Sequence, residues 1–127
     1  MQIDSTDFRA ALEKGVKWEE NVFRYCTFEK LSEEGAHVTS EFIDCRFEGC
    51  DWYWGLFNSA TFVGVTFKNC SFRGSSFSGC RFVECHFDAC IFTADNLGGG
   101  CSFEGSRWYA CRQSNCNGLA GVFEDAL

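Results

Sequence analysis

Proline is absent from all 127 residues, methionine occurs once and histidine only twice. A chain without proline keeps its backbone donors, which suits an architecture whose corners hydrogen-bond as its strands do. No apolar run approaches the roughly 18 residues of a membrane-spanning helix, and no secretory leader pattern opens the chain. The expectation is a cytoplasmic protein with no membrane association. No HExxH, GxSxG or CxxC-like knuckle is present, no His pair, and no pair of acids set apart for a cleft. Gly98, Gly99 and Gly100 form a glycine run, but without the lysine and following helix that cradle a phosphate. These absences argue against an enzyme: no catalytic residue, no metal and no cofactor is expected.

What the chain does have is a repeat. From Phe42 to Phe92 an aromatic residue falls on every fifth position: Phe42, Phe47, Trp52, Phe57, Phe62, Phe67, Phe72, Phe77, Phe82, Phe87 and Phe92. Two residues before each sits a small side chain: Ser40, Cys45, Cys50, Gly55, Ala60, Val65, Cys70, Ser75, Cys80, Cys85 and Cys90. A period of five fits neither the 3.6 of a helix nor the 2 of a strand, so the chain turns a corner once per repeat. The aromatic and the small residue face inward, because only they are consistently apolar or small. The other three positions form an outer skin.

This pattern resembles the pentapeptide-repeat family over roughly residues 21 to 118. The resemblance implies an all-β fold: a right-handed quadrilateral β-helix of about four to five coils, four repeats to the turn, with turns stacked about 4.8 Å apart. Residues twenty apart then stack. Phe42, Phe62 and Phe82 make one column; Phe47, Phe67 and Phe87 a second; Trp52, Phe72 and Phe92 a third; Phe57, Phe77 and Leu97 a fourth. After Phe92 the phase slips by one, with Cys101 before Phe103 and Ser106 before Trp108. A residue inserted within Ala94 to Gly100 accounts for the slip, so Phe103 is expected in the first column and Trp108 in the second. Gln113 and Gly118 then take central slots, and the core fades.

On the N-terminal side Phe23 and Phe28 keep the phase, but Phe28 to Phe42 is fourteen residues, so 29–41 reads as an irregular coil or loop. Ser5 or Thr6 is placed to cap a short helix running to Lys14, with Phe8, Ala11 and Leu12 on one face and Gly15 as its stop. Such a helix would cover the open end of the stack. One domain therefore spans 1–127: an N-terminal cap over 1–20, coils over 21–118 that are irregular at 29–41 and 94–101, and a C-terminal cap over 119–127. Val122, Phe123 and Leu127 either cap the last turn or form a dimer contact, leaving a monomer and a homodimer both open.

Ten cysteines invite a disulfide or metal reading, but nearly all sit in the small inward slot, where free cysteine packs as a small hydrophobe. The column rule groups Cys50, Cys70, Cys90 and Cys111, then Cys80 with Cys101, and places Cys45 and Cys85 either side of Val65. Cys116 alone is doubtful. Stacked neighbours have parallel side chains, and a reducing compartment disfavours the bond. A Cys85 and His86 pair fails as a nucleophile and base, since adjacent residues point to opposite sides of the wall.

The outer surface carries the candidate binding residues. Ile43, Val63 and Val83 form a β-branched stripe; it reads equally as ordinary wall composition or as a flat protein-binding strip. Tyr53, Trp54 and Leu56 cluster at a corner, either as an interface anchor or folded over the N-terminal segment. Tyr53 lies one rung from Arg73, within cation–π reach. The net charge is −7, but residues 1–51 hold −6 of it and residues 52–118 are +1. Proteins of the resembled family linked to quinolone resistance mimic duplex DNA towards DNA gyrase, which requires acids spread along the coil. Here they are gathered at one end, Glu33, Glu34 and Asp51 among them. The favoured expectation is a protein-binding inhibitor or immunity-type protein that neutralises a basic toxin or nuclease, with no direct nucleic-acid contact. Gyrase protection is the alternative, and a structural module within a larger assembly the third reading.

Overall fold

The computed structural model describes residues 2–9 and 17–119, the Arg9 side chain excepted. Every strand in it is short, two or three residues, and each is followed by a corner that passes the chain to the next wall. Stacking of these corners yields four parallel sheets of six, three, six and four strands, an all-β solenoid of about four turns with no helix among the described residues. Within a strand the centre points inward and its two neighbours outward, as the period-2 pleat demands. Phe42, Phe62 and Phe82 are 0–1% exposed, while Glu41 and Arg81 beside them lie in solvent.

The columns are built as spacing implies. Phe23, Phe42, Phe62 and Phe82 stack with centroids 4.9–5.1 Å apart and planes at 6°. Rings on adjacent walls meet edge-on, as Phe62 meets Phe67 at 60°. Corners turn through a left-handed residue two places after each centre, glycine at Gly64 (φ 63°) and aspartate at Asp44 (φ 51°). Corner amides hydrogen-bond as strand amides do: Asp44 N–H donates to Val63 O at 2.8 Å. The small inward slot is closed by thiols that donate to the rung below, Cys85 to Phe62 O at 3.3 Å and Cys90 to Phe67 O at 3.2 Å.

Four departures from expectation have physical causes. First, the N-terminal helix is not formed where Ser5 and Phe8 stand: Gln2–Asp4 and Asp7–Arg9 are strands, Ser5 is a left-handed corner (φ 50°), and Phe8 stacks on Phe28 at 5.0 Å. Ile3 and Phe8 are themselves five apart, and pairing with a formed rung outweighs a helix too short to nucleate alone. The rest of that helix, Ala11, Leu12, Lys14 and Gly15, lies outside the described residues, as do Val122, Phe123 and Leu127. Second, the coil continues through 29–41, with strands Ser32–Glu34 and His37–Val38. The missing residue is dropped at one corner, where Val38 to Phe42 spans four positions.

Third, the slip after Phe92 is six residues, not one. Phe103 stacks on Phe77 at 5.2 Å in the fourth column and Trp108 on Phe82 at 4.0 Å in the first. An insertion of six shifts a five-residue phase by one, so periodicity alone cannot separate the two. Leu97 accordingly leaves the core and is 87% exposed. The cysteine columns move with it: Cys111 follows Cys85, its thiol donating to Phe82 O at 3.3 Å, Cys116 follows Cys90 with a bond to Phe87 O at 3.2 Å, and Cys101 joins the Ser75 corner rather than Cys80. Fourth, Trp18 is core, 6% exposed. It sits below Val38, whose neighbour Thr39 donates to Trp18 O at 3.1 Å, and its ring lies 5.1 Å from Trp52, filling the tube where Glu33 stands in place of an aromatic. Its signal was present, five before Phe23.

Substituting Phe62→Ala should cost about 3–5 kcal/mol of stability in denaturant unfolding. Leu97→Ala should change it by less than about 0.5 kcal/mol.

Candidate functional site

The interior is filled by its own rings, so any site is on the walls. The third wall carries Ser32–Glu34, Asp51–Tyr53, Ser71–Arg73 and Ile91–Thr93 in register. Period-2 alternation turns Glu34, Tyr53 and Arg73 outward in one row and Ser32, Asp51 and Ser71 in the other. Between the rows lies a cleft of about 400 Å³ lined by these residues with Glu33 and Trp52. Its N-terminal half is acidic: Glu34 and Asp51 face outward with no cation among the described residues paired with them, while Glu33, expected here, is the strand centre in register with the inward Trp52 and adds to the floor. Its C-terminal half holds Arg73, whose guanidinium lies 5.1 Å from the Tyr53 ring centroid.

The six-residue insertion closes the upper edge of this wall. Asp95 organises it: its Oδ1 accepts the N–H groups of Leu97 and Gly99, each at 2.8 Å, and its Oδ2 accepts Trp54 Nε1–H at 2.8 Å. Tyr53 Oη accepts the Asn96 N–H at 3.1 Å, and Arg73 donates to Asn96 Oδ1 at 2.8 Å. Trp54 occupies the left-handed corner (φ 56°), a conformation costing a bulky side chain about 1–2 kcal/mol. The indole is thus a strut for the loop, packed at 4.5 Å on Tyr53 and bonded to Asp95. What the loop presents at its tip is Leu97, a residue placed by spacing in the core.

The remaining candidates are scattered. Leu56 begins the fourth wall and is 40% exposed. Ile43, Val63 and Val83 run in register along the first wall, on the side of the tube opposite the cleft, so the structure does not join them to Tyr53 and Trp54. Cys85 and His86 do not meet: the thiol is buried inside, and His86 Nε2 lies 3.2 Å from Ser114 Oγ outside. Burial pushes the Cys45 thiol up to about 12 and the Cys80 thiol up to about 11, which keeps both protonated and unreactive at neutral pH. No group of three or more His, Cys, Asp or Glu among the described residues is arranged to hold a metal ion.

A family model described as pentapeptide repeats matches residues 47–107, and the stacked columns extend that pattern to both sides. The chain belongs to the pentapeptide-repeat family. Among solved structures, this pentapeptide-repeat protein is similar to QnrB1, a plasmid-mediated fluoroquinolone resistance protein. A trypsin-treated form superposes with a TM-score of 0.61 and 17% identity over 91% of this chain and 57% of that one. The full-length form gives 0.55 and 19% over 83% and 45%. This chain thus spans about half the length of QnrB1, and the likeness is one of fold. No curated protein sequence shows a significant match.

The hydrogen bonds to Asp95, first from Trp54 and then from Gly99, hold its carboxyl below its usual 3.8. A depressed carboxyl contributes stability above its unfolded-state value and loses it as pH falls through the folded one. Trp54 fluorescence should therefore be level above about pH 4 and change only below 3.8, and Asp95→Asn should remove that transition.

Proposed function

We propose that this pentapeptide-repeat protein is a non-catalytic scaffold whose third wall binds a basic protein partner. The observation that carries this reading is the cleft itself: Glu34 and Asp51 stand beside Tyr53 on a rigid sheet, with no cation paired to them among the described residues. Carboxylates held on a fixed wall attract a cationic partner from a distance and set its orientation. Tyr53 supplies the flat amphipathic surface that commonly anchors an interface, and the strutted loop adds an apolar tip at Leu97. The partner that best fits is an enzyme with a cationic cleft, a toxin or nuclease, which this protein neutralises as an inhibitor or immunity-type protein. A cytoplasmic setting belongs to the same proposal, because it keeps ten unbridged thiols reduced.

A second reading is gyrase protection by duplex mimicry, favoured by the coil's likeness in fold to QnrB1. It ranks second because the acids are concentrated at the N-terminal end and not distributed along the coil.

The test is co-purification followed by titration of the captured partner. Reversing Glu34 and Asp51 to lysine should weaken binding by roughly tenfold or more and flatten its salt dependence. Trp54→Ala should slow complex formation or hasten its decay by releasing the loop. Unchanged affinity in both variants removes the third wall as the site. A dose-dependent effect on supercoiling by purified gyrase would instead move the second reading to first.

A further inference from the structure

The first wall is unlike the other three. Its outward rows are fixed by register: Gln2, Val22, Glu41, Thr61, Arg81 and Arg107 in one, Asp4, Arg24, Ile43, Val63, Val83 and Tyr109 in the other, with Asp4 and Arg24 paired to each other. The second row carries three consecutive aliphatic rungs ending in a tyrosine that is 68% exposed. The corresponding row of the second wall is charged on consecutive rungs, Glu29, Glu48, Lys68 and Asp88. The first row is graded, acidic at Glu41, neutral at Thr61, and basic at Arg81 and Arg107. All four of these side chains are exposed or half-exposed, and neither arginine forms an ion pair among the described residues.

From this arrangement we infer that the first wall is an isologous interface between two copies of this chain, packed face to face with their coil axes antiparallel. A two-fold axis lying in the wall and perpendicular to the coil reverses the order of rungs and leaves each row opposite itself. Centred on the rung of Thr61 and Val63, it sets Glu41 against Arg81 of the second copy, and Arg81 against its Glu41. Ile43 meets Val83, Val63 meets Val63, and Tyr109 meets the face of Arg24, whose Nε stays paired with Asp4 Oδ1 at 3.2 Å. At the solvent-open ends of the strip Arg107 lies over Val22, where its guanidinium keeps its water. Five rungs are used without a like-charge contact at the centre. The other in-plane two-fold, parallel to the coil, would set Glu41 against Ile43 and Arg81 against Val83, burying charge on aliphatic surface. The row chemistry therefore selects the antiparallel pairing.

Five rungs at strand spacing span about 19 Å, and a strip of that length and one wall's width covers less than the roughly 800 Å² per partner of a standard interface. The dimer is accordingly weak, forming at micromolar concentration or above. It leaves the acidic clefts on the two outer sides, so each dimer presents its partner sites pointing away from each other.

Sedimentation velocity on the full chain from about 1 µM to 1 mM should show a concentration-dependent monomer–dimer equilibrium. Val63→Arg, half-exposed and so compatible with folding as checked by circular dichroism, should raise the dimer dissociation constant by at least about tenfold. Glu41→Arg alone should weaken the dimer, and Glu41→Arg combined with Arg81→Glu should restore it, because both pairs are inverted together. As a register check, Thr61→Cys should cross-link to itself under mild oxidation while Asn58→Cys on the fourth wall does not. A monomer throughout the range, a dimer indifferent to Val63→Arg, or a charge swap that fails to rescue would each overturn the inference. None of these outcomes depends on Glu33, Glu34 or the third wall, so the inference and the proposed partner site fail separately.

Discussion

Parallel stacking of inward aromatic rings at the spacing of β-rungs is the constraint from which the rest of this molecule follows. A ring repeated every five residues meets its counterpart about 5 Å above it, as Phe42 meets Phe62, and the intervening residues have only enough length to cross one wall and turn. The corner then demands a left-handed residue, and the slot behind it a side chain small enough to sit under the next rung. Glycine meets the first demand at no steric cost, and residues as varied as Asp44, Trp54 and Ala89 accept it under the pull of the stacked rungs; cysteine, serine and alanine meet the second. The tube that results has no interior left for a ligand, so recognition is carried by the walls.

Changes in repeat length are absorbed at corners, and the reason is the pleat. One residue gained or lost inside a strand would exchange its inner and outer faces and drive a ring into solvent. At a corner the same change alters only the path between walls. The shortened corner after Val38 and the lengthened one after Phe92 therefore leave every column intact. The lengthened corner also becomes the most elaborate feature of the surface, a loop tied by Asp95, Trp54, Tyr53 and Asn96 across the top of the third wall. Trp54 bears the cost of a left-handed backbone there, and the bond to Asp95 offsets it.

Opposite walls then carry different chemistry. The third joins an acidic cleft to this loop, and the first joins an aliphatic stripe to a row of charge that changes sign along its length. Because the tube is packed with rings throughout, the two walls are held in fixed relation, and an event on one does not require movement of the other. A scaffold of this kind presents surfaces; it does not gate them.

The sequence by itself determined the period, the inward and outward positions, the columns from Phe42 to Phe92 and the burial of most thiols, since these depend only on local alternation repeated every five residues. It equally contained the Ile43, Val63 and Val83 stripe of the first wall, because residues twenty apart in an unbroken run must stack; Arg107 and Tyr109 joined that wall only through the longer slip. Only the tertiary structure decided that the slip after Phe92 was six residues rather than one, that Trp18 closes the tube below Trp52, and that Trp54 supports a loop forty-one residues away. A periodic signal is blind to insertions that differ by whole periods. Contacts between an irregular segment and a distant corner have no period at all, so they emerge only once the coil has closed and the two are brought side by side.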